Sequence, residues 1–180
     1  RVFTLSRNTN IQKQIVNMLD EPVARLCRKC GLAVTVSVRQ GLKSYIAIRK
    51  NPYQGIAVVV SSEEMMSLNL TAAGKVLTAF SGESDKLIDE IDYVRLTDKS
   101  IVDKEEYKML LEEVKEEKLA YDMEEVTEGL VCVAAPVLST DGTAICAISV
   151  SGYKERMVRS LYSVIPRLQD TASECENLLR

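Results

Sequence analysis

The stretch LVCVAAPVLSTDGTAICAISVSG, Leu130 to Gly152, decides how this chain is read. Two apolar runs, 130–138 and 143–151, flank a polar segment ending in Asp141-Gly142, a strong hairpin signal because both residues tolerate positive φ. If that dipeptide forms the centre of a two-residue turn, counting outward sets Cys132 opposite Ser151 and Ala134 opposite Ser149; a three- or five-residue loop would break this pairing. Side chains alternate with a period of two, so Leu130, Cys132, Ala134, Ser149 and Ser151 share one face of the sheet. The other face carries Val131, Val133, Ala135, Val137, Ile148 and Val150, the natural core contacts. The first face is small and bears a thiol and two hydroxyls, which suits a small-molecule pocket. It would equally suit packing beneath a helix, with the hydroxyls satisfied locally.

Helical and extended patterns surround the hairpin. From Asn10, a potential cap, the positions Ile11, Ile15, Met18, Leu19, Val23, Leu26 and Cys30 recur at helical steps; Gly31 is a stop, and Pro22 is expected to kink or divide the helix. Leu32, Val34, Val36 and Val38 alternate with Ala33, Thr35, Ser37 and Arg39, and a second run, Tyr45 to Ile48, follows a turn signal at Gly41, predicting a hairpin. A third strand is expected over Ile56 to Val60, ahead of a capping box of Ser61 and Glu64. Thr71 caps a predicted helix carrying Ala72, Ala73, Val76, Leu77 and Phe80. A second is expected over Asp103 to Lys118. The last segment places Val158, Leu161, Ile165, Leu168, Ala172, Cys175 and Leu179 on one stripe, with Pro166 predicting that the main helix begins near Ser163. The sum is a mixed α/β (α+β) chain, an antiparallel sheet flanked by helices.

Composition narrows the chemistry. The 180 residues suit one domain, and 46% hydrophobic with 27% charged residues describes a chain that folds. A net charge of −3 offers no broad basic surface for phosphates. There is no histidine, which removes Ser-His and Cys-His nucleophile pairs, a histidine general base and the common zinc sets. No catalytic residue, metal ligand or cofactor is assigned. The five cysteines are odd in number and lie mostly in apolar runs, as free thiols of a reducing compartment do. Gly129 to Thr140, which no other uncharged stretch exceeds in length, is too short to span a bilayer, and no signal-peptide pattern opens the chain, so a cytoplasmic, membrane-free location is expected. The chain opens on Arg1 and enters its first regular segment almost at once, as a fragment of a longer polypeptide would.

Several residues invite two readings. Asp122 belongs to an acidic group with Glu124, Glu125 and Glu128 that reads as a solvated face, yet it follows Leu119, Ala120 and Tyr121 and could turn inward to accept from a ligand hydroxyl or amine. Gly74 inside a helix costs about 1 kcal/mol relative to Ala, which implies close approach by a backbone or a ligand, and the amides after Thr71 suit an anionic group. Lys75 is a ligand counter-charge or an ordinary surface lysine. Cys27-Arg28-Lys29-Cys30 is a CxxC without the second pair that a zinc ribbon needs; a structural role is expected, with redox chemistry the alternative.

Three segments together, TAAGKVLTAF from Thr71, LAYDMEEVTEGLVCVAAPV from Leu119 and DGTAICAISVSG from Asp141, resemble the effector-binding domain of IclR-type bacterial transcriptional regulators, in order and spacing, from about Ile15 to Leu179. The resemblance implies a GAF-like fold, an antiparallel sheet with helices on both sides, joined in the full protein to an N-terminal winged helix-turn-helix that binds DNA. On this view residues 1–14 are a linker from that missing domain and 15–180 form the effector-binding domain. The family's effector pocket maps onto Ala73 and Gly74, Asp122, Leu130 and Cys132, and Ser149 and Ser151, and its implied ligand is a small metabolite, an organic acid. The chain departs from the family pattern in Lys118, where Gly is frequent, and in Tyr153, where Pro is frequent after SG, which leaves subfamily and ligand open.

The expected function is therefore ligand sensing that controls DNA binding by a separate domain, with assembly as a homodimer or homotetramer. The alternatives are a stand-alone GAF-like sensor, an oligomerisation domain, or an enzyme with Cys132 as nucleophile. The last would need a base or electropositive setting that no histidine supplies and that Asp122 opposes.

Overall fold

The structure, a computed structural model, describes residues 9–52 and 65–180, with side chains from Ile15 onward. The strand expected at 56–60 and the Ser61/Glu64 capping pair lie outside the described residues. The elements are α1 (Thr9–Cys30), β1 (Ala33–Gln40), β2 (Lys43–Lys50), β3 (Met66–Ser67), α2 (Ala72–Ala79), α3 (Ser84–Glu90), α4 (Lys104–Glu117), β4 (Ala120–Met123), β5 (Leu130–Leu138), β6 (Ala144–Tyr153) and α5 (Lys154–Leu178). The strands form one antiparallel sheet in the order β3-β2-β1-β6-β5-β4. Helices cover both faces, as expected of an α+β fold.

The two faces bury different chemistry. Val34, Val36, Val133, Val137, Ile148 and Val150 point toward α1 and α5, where they meet Leu19, Val23, Leu26, Met157, Val164 and Leu168. On the opposite face Ala134 and Ala147 pack against a cluster built from Leu68, Val76, Leu77, Leu87, Tyr107 and Leu111 of α2, α3, α4 and the segment before α2. The alanines let α2 approach the sheet closely, and all of α2 is buried. Packing beneath a helix thus holds for Ala134.

The β5–β6 pairing is as counted, with Cys132 opposite Ser151 and Ala134 opposite Ser149. The turn itself differs. Ser139 N donates to Thr143 O (2.8 Å) and Gly142 N to Ser139 O (3.1 Å), closing a three-residue loop in which Gly142, at φ +83°, carries the positive φ. The register survives because of a bulge: Leu138 faces Ala144 while Val137 faces Cys146, so Ile145 is the extra residue that restores the count. Asp141 accepts from Thr143 N and Thr143 Oγ1 instead of taking a left-handed conformation.

Helix boundaries add three corrections. Asn10 lies within α1 rather than capping it, and Pro22 does not divide the helix; the stop is Gly31, at φ +63°. α5 runs unbroken through Pro166 from Lys154, and the buried residue of its first turns is Met157, while Val158 is exposed. Proline removes one intrahelical bond, to the carbonyl four residues back. Here those carbonyls belong to Met18 and Tyr162, both exposed residues, so water can take the lost bond. α3 and the edge strand β4 had no counterpart in the sequence reading. α4 matched it, capped by Asp103, whose carboxylate accepts from Glu106 N at 2.8 Å.

Candidate ligand-binding site

The sheet extends past the area that α2 covers, and the uncovered part forms a cavity of about 120 Å³. That is room for on the order of ten water-sized atoms. Its floor is hydroxyl-rich: Thr35 and Ser37 of β1, Ser149 and Ser151 of β6 and Cys132 of β5, with Leu130 beside them. β2 contributes Ser44, Tyr45, Ile46 and Arg49; Thr71 and Ala73 at the start of α2, Met66, and Asp122, Val126 and Thr127 add to the described wall. The floor is polar because β1 and β6 run side by side with Thr35 opposite Ser149, and their hydroxyls bond at 2.7 Å.

Six of the seven residues expected at a site, Ala73, Asp122, Leu130, Cys132, Ser149 and Ser151, therefore border one cavity. Gly74 does not. Its close neighbour is a backbone: a Cβ there would sit 2.4 Å from the Leu68 carbonyl oxygen. Its amide donates to Thr71 Oγ1 at 2.9 Å, which leaves Ala72 and Ala73 as the first-turn amides without an intrahelical acceptor. Lys75 is neither a ligand counter-charge in the wall nor a surface lysine: it is 1% exposed and paired with Glu125. Sequence reading missed Arg49, Thr35 and Ser37. The last two were legible as the small, polar half of the β1 alternation, and Arg49 carried no such signal because β2 alternates weakly.

Asp122 is 7% exposed, and burial pushes its carboxyl up from 3.8 to about 6, with Glu125 adding to the rise and Lys75 and the backbone opposing it. One oxygen, Oδ1, accepts from Glu125 N (2.7 Å) and Val126 N (3.4 Å). The turn that follows is clamped from outside: Glu124, at φ +72°, pairs with Lys99 and Lys154 and accepts from Gly129 N, and these partners hold its carboxyl down at about 2. Burial raises the Cys132 thiol to about 12, with Asp122 contributing. A thiol so raised is a poor nucleophile. Burial also lowers the Arg49 guanidinium from its usual value. The arrangement offers an acceptor, a cation and a row of hydroxyls around a partly apolar hollow.

Elsewhere, Cys27 and Cys30 are free thiols at the end of α1, both raised chiefly by burial. Among the described residues no group of three metal-ligating side chains occurs, and no helix is long and apolar enough to cross a membrane.

The family described as "Bacterial transcriptional regulator IclR C-terminal" matches residues 8–177. The chain belongs to this family. XynR of Escherichia coli K12, an HTH-type transcriptional regulator, is 32% identical over 138 residues, 75% of this chain and 54% of its own length. The chain aligns with between 32% and 66% of the length of such curated relatives. The structure of the Thermotoga maritima IclR superposes with a TM-score of 0.85 at 20% identity, over 94% of this chain and 70% of that one. The inducer-binding domain of PobR from Acinetobacter, solved as a double mutant with 3-hydroxybenzoic acid, superposes at 0.80 and 24% identity, over 90% and 97%. These likenesses establish the GAF-like fold that the sequence motifs implied. The chain is an IclR effector-binding domain, and its relatives are transcriptional regulators, not enzymes.

Proposed function

We propose that this IclR domain senses a hydroxylated organic acid in the cavity above β1 and β6 and passes its occupancy to a separate winged helix-turn-helix, with residues 1–14 as the link. One observation carries the ligand class: a single hollow borders both the cationic Arg49 and the buried acceptor Asp122, with hydroxyls between. An acid group is favoured by Arg49 and the first-turn amides of α2, and a ligand hydroxyl donates to Asp122. The 3-hydroxybenzoic acid held by the PobR domain has this pattern of groups. A ligand of this kind changes DNA binding only by its unequal affinity for two arrangements of the full protein.

Calorimetric titration with pairs of acids, each hydroxylated compound beside its deoxy analogue, tests the reading. The parent is expected to prefer the hydroxylated member by roughly 10- to 100-fold, the value of a hydrogen bond to a charged group. Asp122→Asn abolishes that preference and Arg49→Gln weakens both members. A parent that binds no acid in the panel, or an Arg49→Gln variant that binds as tightly as the parent, overturns it.

A further inference from the structure

Beneath the cavity wall lies a buried charge cluster that the ligand reading leaves unused. Lys75 Nζ donates to Glu125 Oε1 at 2.5 Å and to the Tyr121 carbonyl at 2.6 Å. It thereby holds the chain on both sides of Asp122, the residue before it and the turn after it. Glu125 is fixed in turn: its amide donates to Asp122 Oδ1 (2.7 Å), and its carbonyl accepts from Ser100 Oγ (2.7 Å) and Thr97 Oγ1 (3.2 Å). Its Oε2 is buried without a hydrogen-bond partner among the described residues. As scaffolding this is an inefficient choice, because a buried ion pair of this kind can be replaced by apolar side chains at little or no loss of stability.

We infer that Lys75 is a positioning residue for the cavity, clamping the chain on either side of Asp122 and, with Glu125, setting the charge that Asp122 presents to a ligand. Among the described residues, the groups that face Asp122 are Glu125 from its own turn, Lys75 from α2, Cys132 from β5 and, in the same cavity wall, Arg49 from β2; Glu106 of α4 acts on Glu125. One ammonium thus serves two buried carboxylates. Lys75 favours the ionised form of Asp122, the form that accepts from a ligand hydroxyl, while Glu125 disfavours it. The inference rests on the effector reading for the ligand, but not for the charge of Asp122.

The test follows the Asp122 side-chain carboxyl by 13C NMR against pH in the whole chain, assigned by the loss of its resonance in Asp122→Asn. Glu125→Gln is expected to lower the midpoint, and Lys75→Met to raise it by about one pH unit or more. Lys75→Met leaves Glu125 stranded and is apt not to fold. The double variant Lys75→Met/Glu125→Gln strands no charge, and its midpoint is expected above that of Glu125→Gln alone. Opposite shifts are not the signature of a merely structural pair. Equal midpoints in Glu125→Gln and the double variant overturn the inference and leave the effector reading standing. Shifted midpoints in a chain that binds no hydroxy acid overturn the effector reading instead.

Discussion

Replacing Asp122 by Asn is expected to stabilise this domain while damaging its site. Burial moves the carboxyl from 3.8 to about 6, and at about 1.4 kcal/mol per pH unit the ionised form costs the fold about 3 kcal/mol at neutral pH. The sign follows from proton counting. Between pH 3.8 and 6 the folded chain holds a proton that the unfolded chain has released, so parent stability falls as pH rises through that window and is flat above it. Asparagine carries no charge, and its Oδ1 can still accept from the amides of Glu125 and Val126, so it keeps the turn and removes the cost. Asp122→Asn should gain roughly 2 to 3 kcal/mol at pH 8, raising Tm by roughly 4 to 12 °C for a chain of this size, and gain almost nothing at pH 4. Thermal melts and urea titrations at pH 4, 6 and 8 measure it. A variant no more stable than the parent at pH 8, or one whose gain is the same at pH 4 and pH 8, would show that Asp122 carries no costly buried charge. A natural domain that keeps this carboxylate despite its cost is what a binding role leads one to expect.

Gly74→Ala should destabilise by roughly 1 to 3 kcal/mol in urea titration through the clash with the Leu68 carbonyl, against the gain of about 1 kcal/mol that helix propensity alone promises. Cys132, raised to about 12, should resist iodoacetamide at pH 8, with on the order of 10⁻⁴ of the thiol ionised; mass spectrometry showing complete labelling in the folded chain would contradict the raised thiol. With a net charge of −3 the domain alone should show no salt-sensitive submicromolar DNA binding by fluorescence anisotropy at physiological salt. Val158 and Tyr162, 51% and 95% exposed one turn apart on α5, fit a chain that self-associates, so sedimentation equilibrium at tens of micromolar should report a dimer or tetramer, and a strict monomer would refute it.

How far the site was legible depends on how local its causes are. Alternation and turn chemistry act over a few residues, so the β5–β6 pairing, the shared face of Cys132, Ser149 and Ser151, the Thr71 cap and the Asp103-led helix could all be read from the chain. The pairing held even though the turn was misjudged, because the bulge at Ile145 offsets the longer loop. The motif resemblance added the family and pointed to Ala73 and Asp122, whose places beside the cavity no periodicity predicts.

Other features depend on what crosses the sheet or packs from another element. Whether Gly74 meets a ligand or a backbone is decided by Leu68, six residues away but folded back against it. Whether Lys75 is a surface cation or a buried clamp is decided by Glu125, fifty positions along. Arg49 reaches the cavity only because β2 lies beyond β1 from the hairpin that carries Ser149. Local sequence determined which residues could share a face, since the pleat fixes that over neighbouring positions. Which charges ended up buried together was decided by tertiary structure alone, because burial and pairing are properties of segments that meet only when the chain is folded.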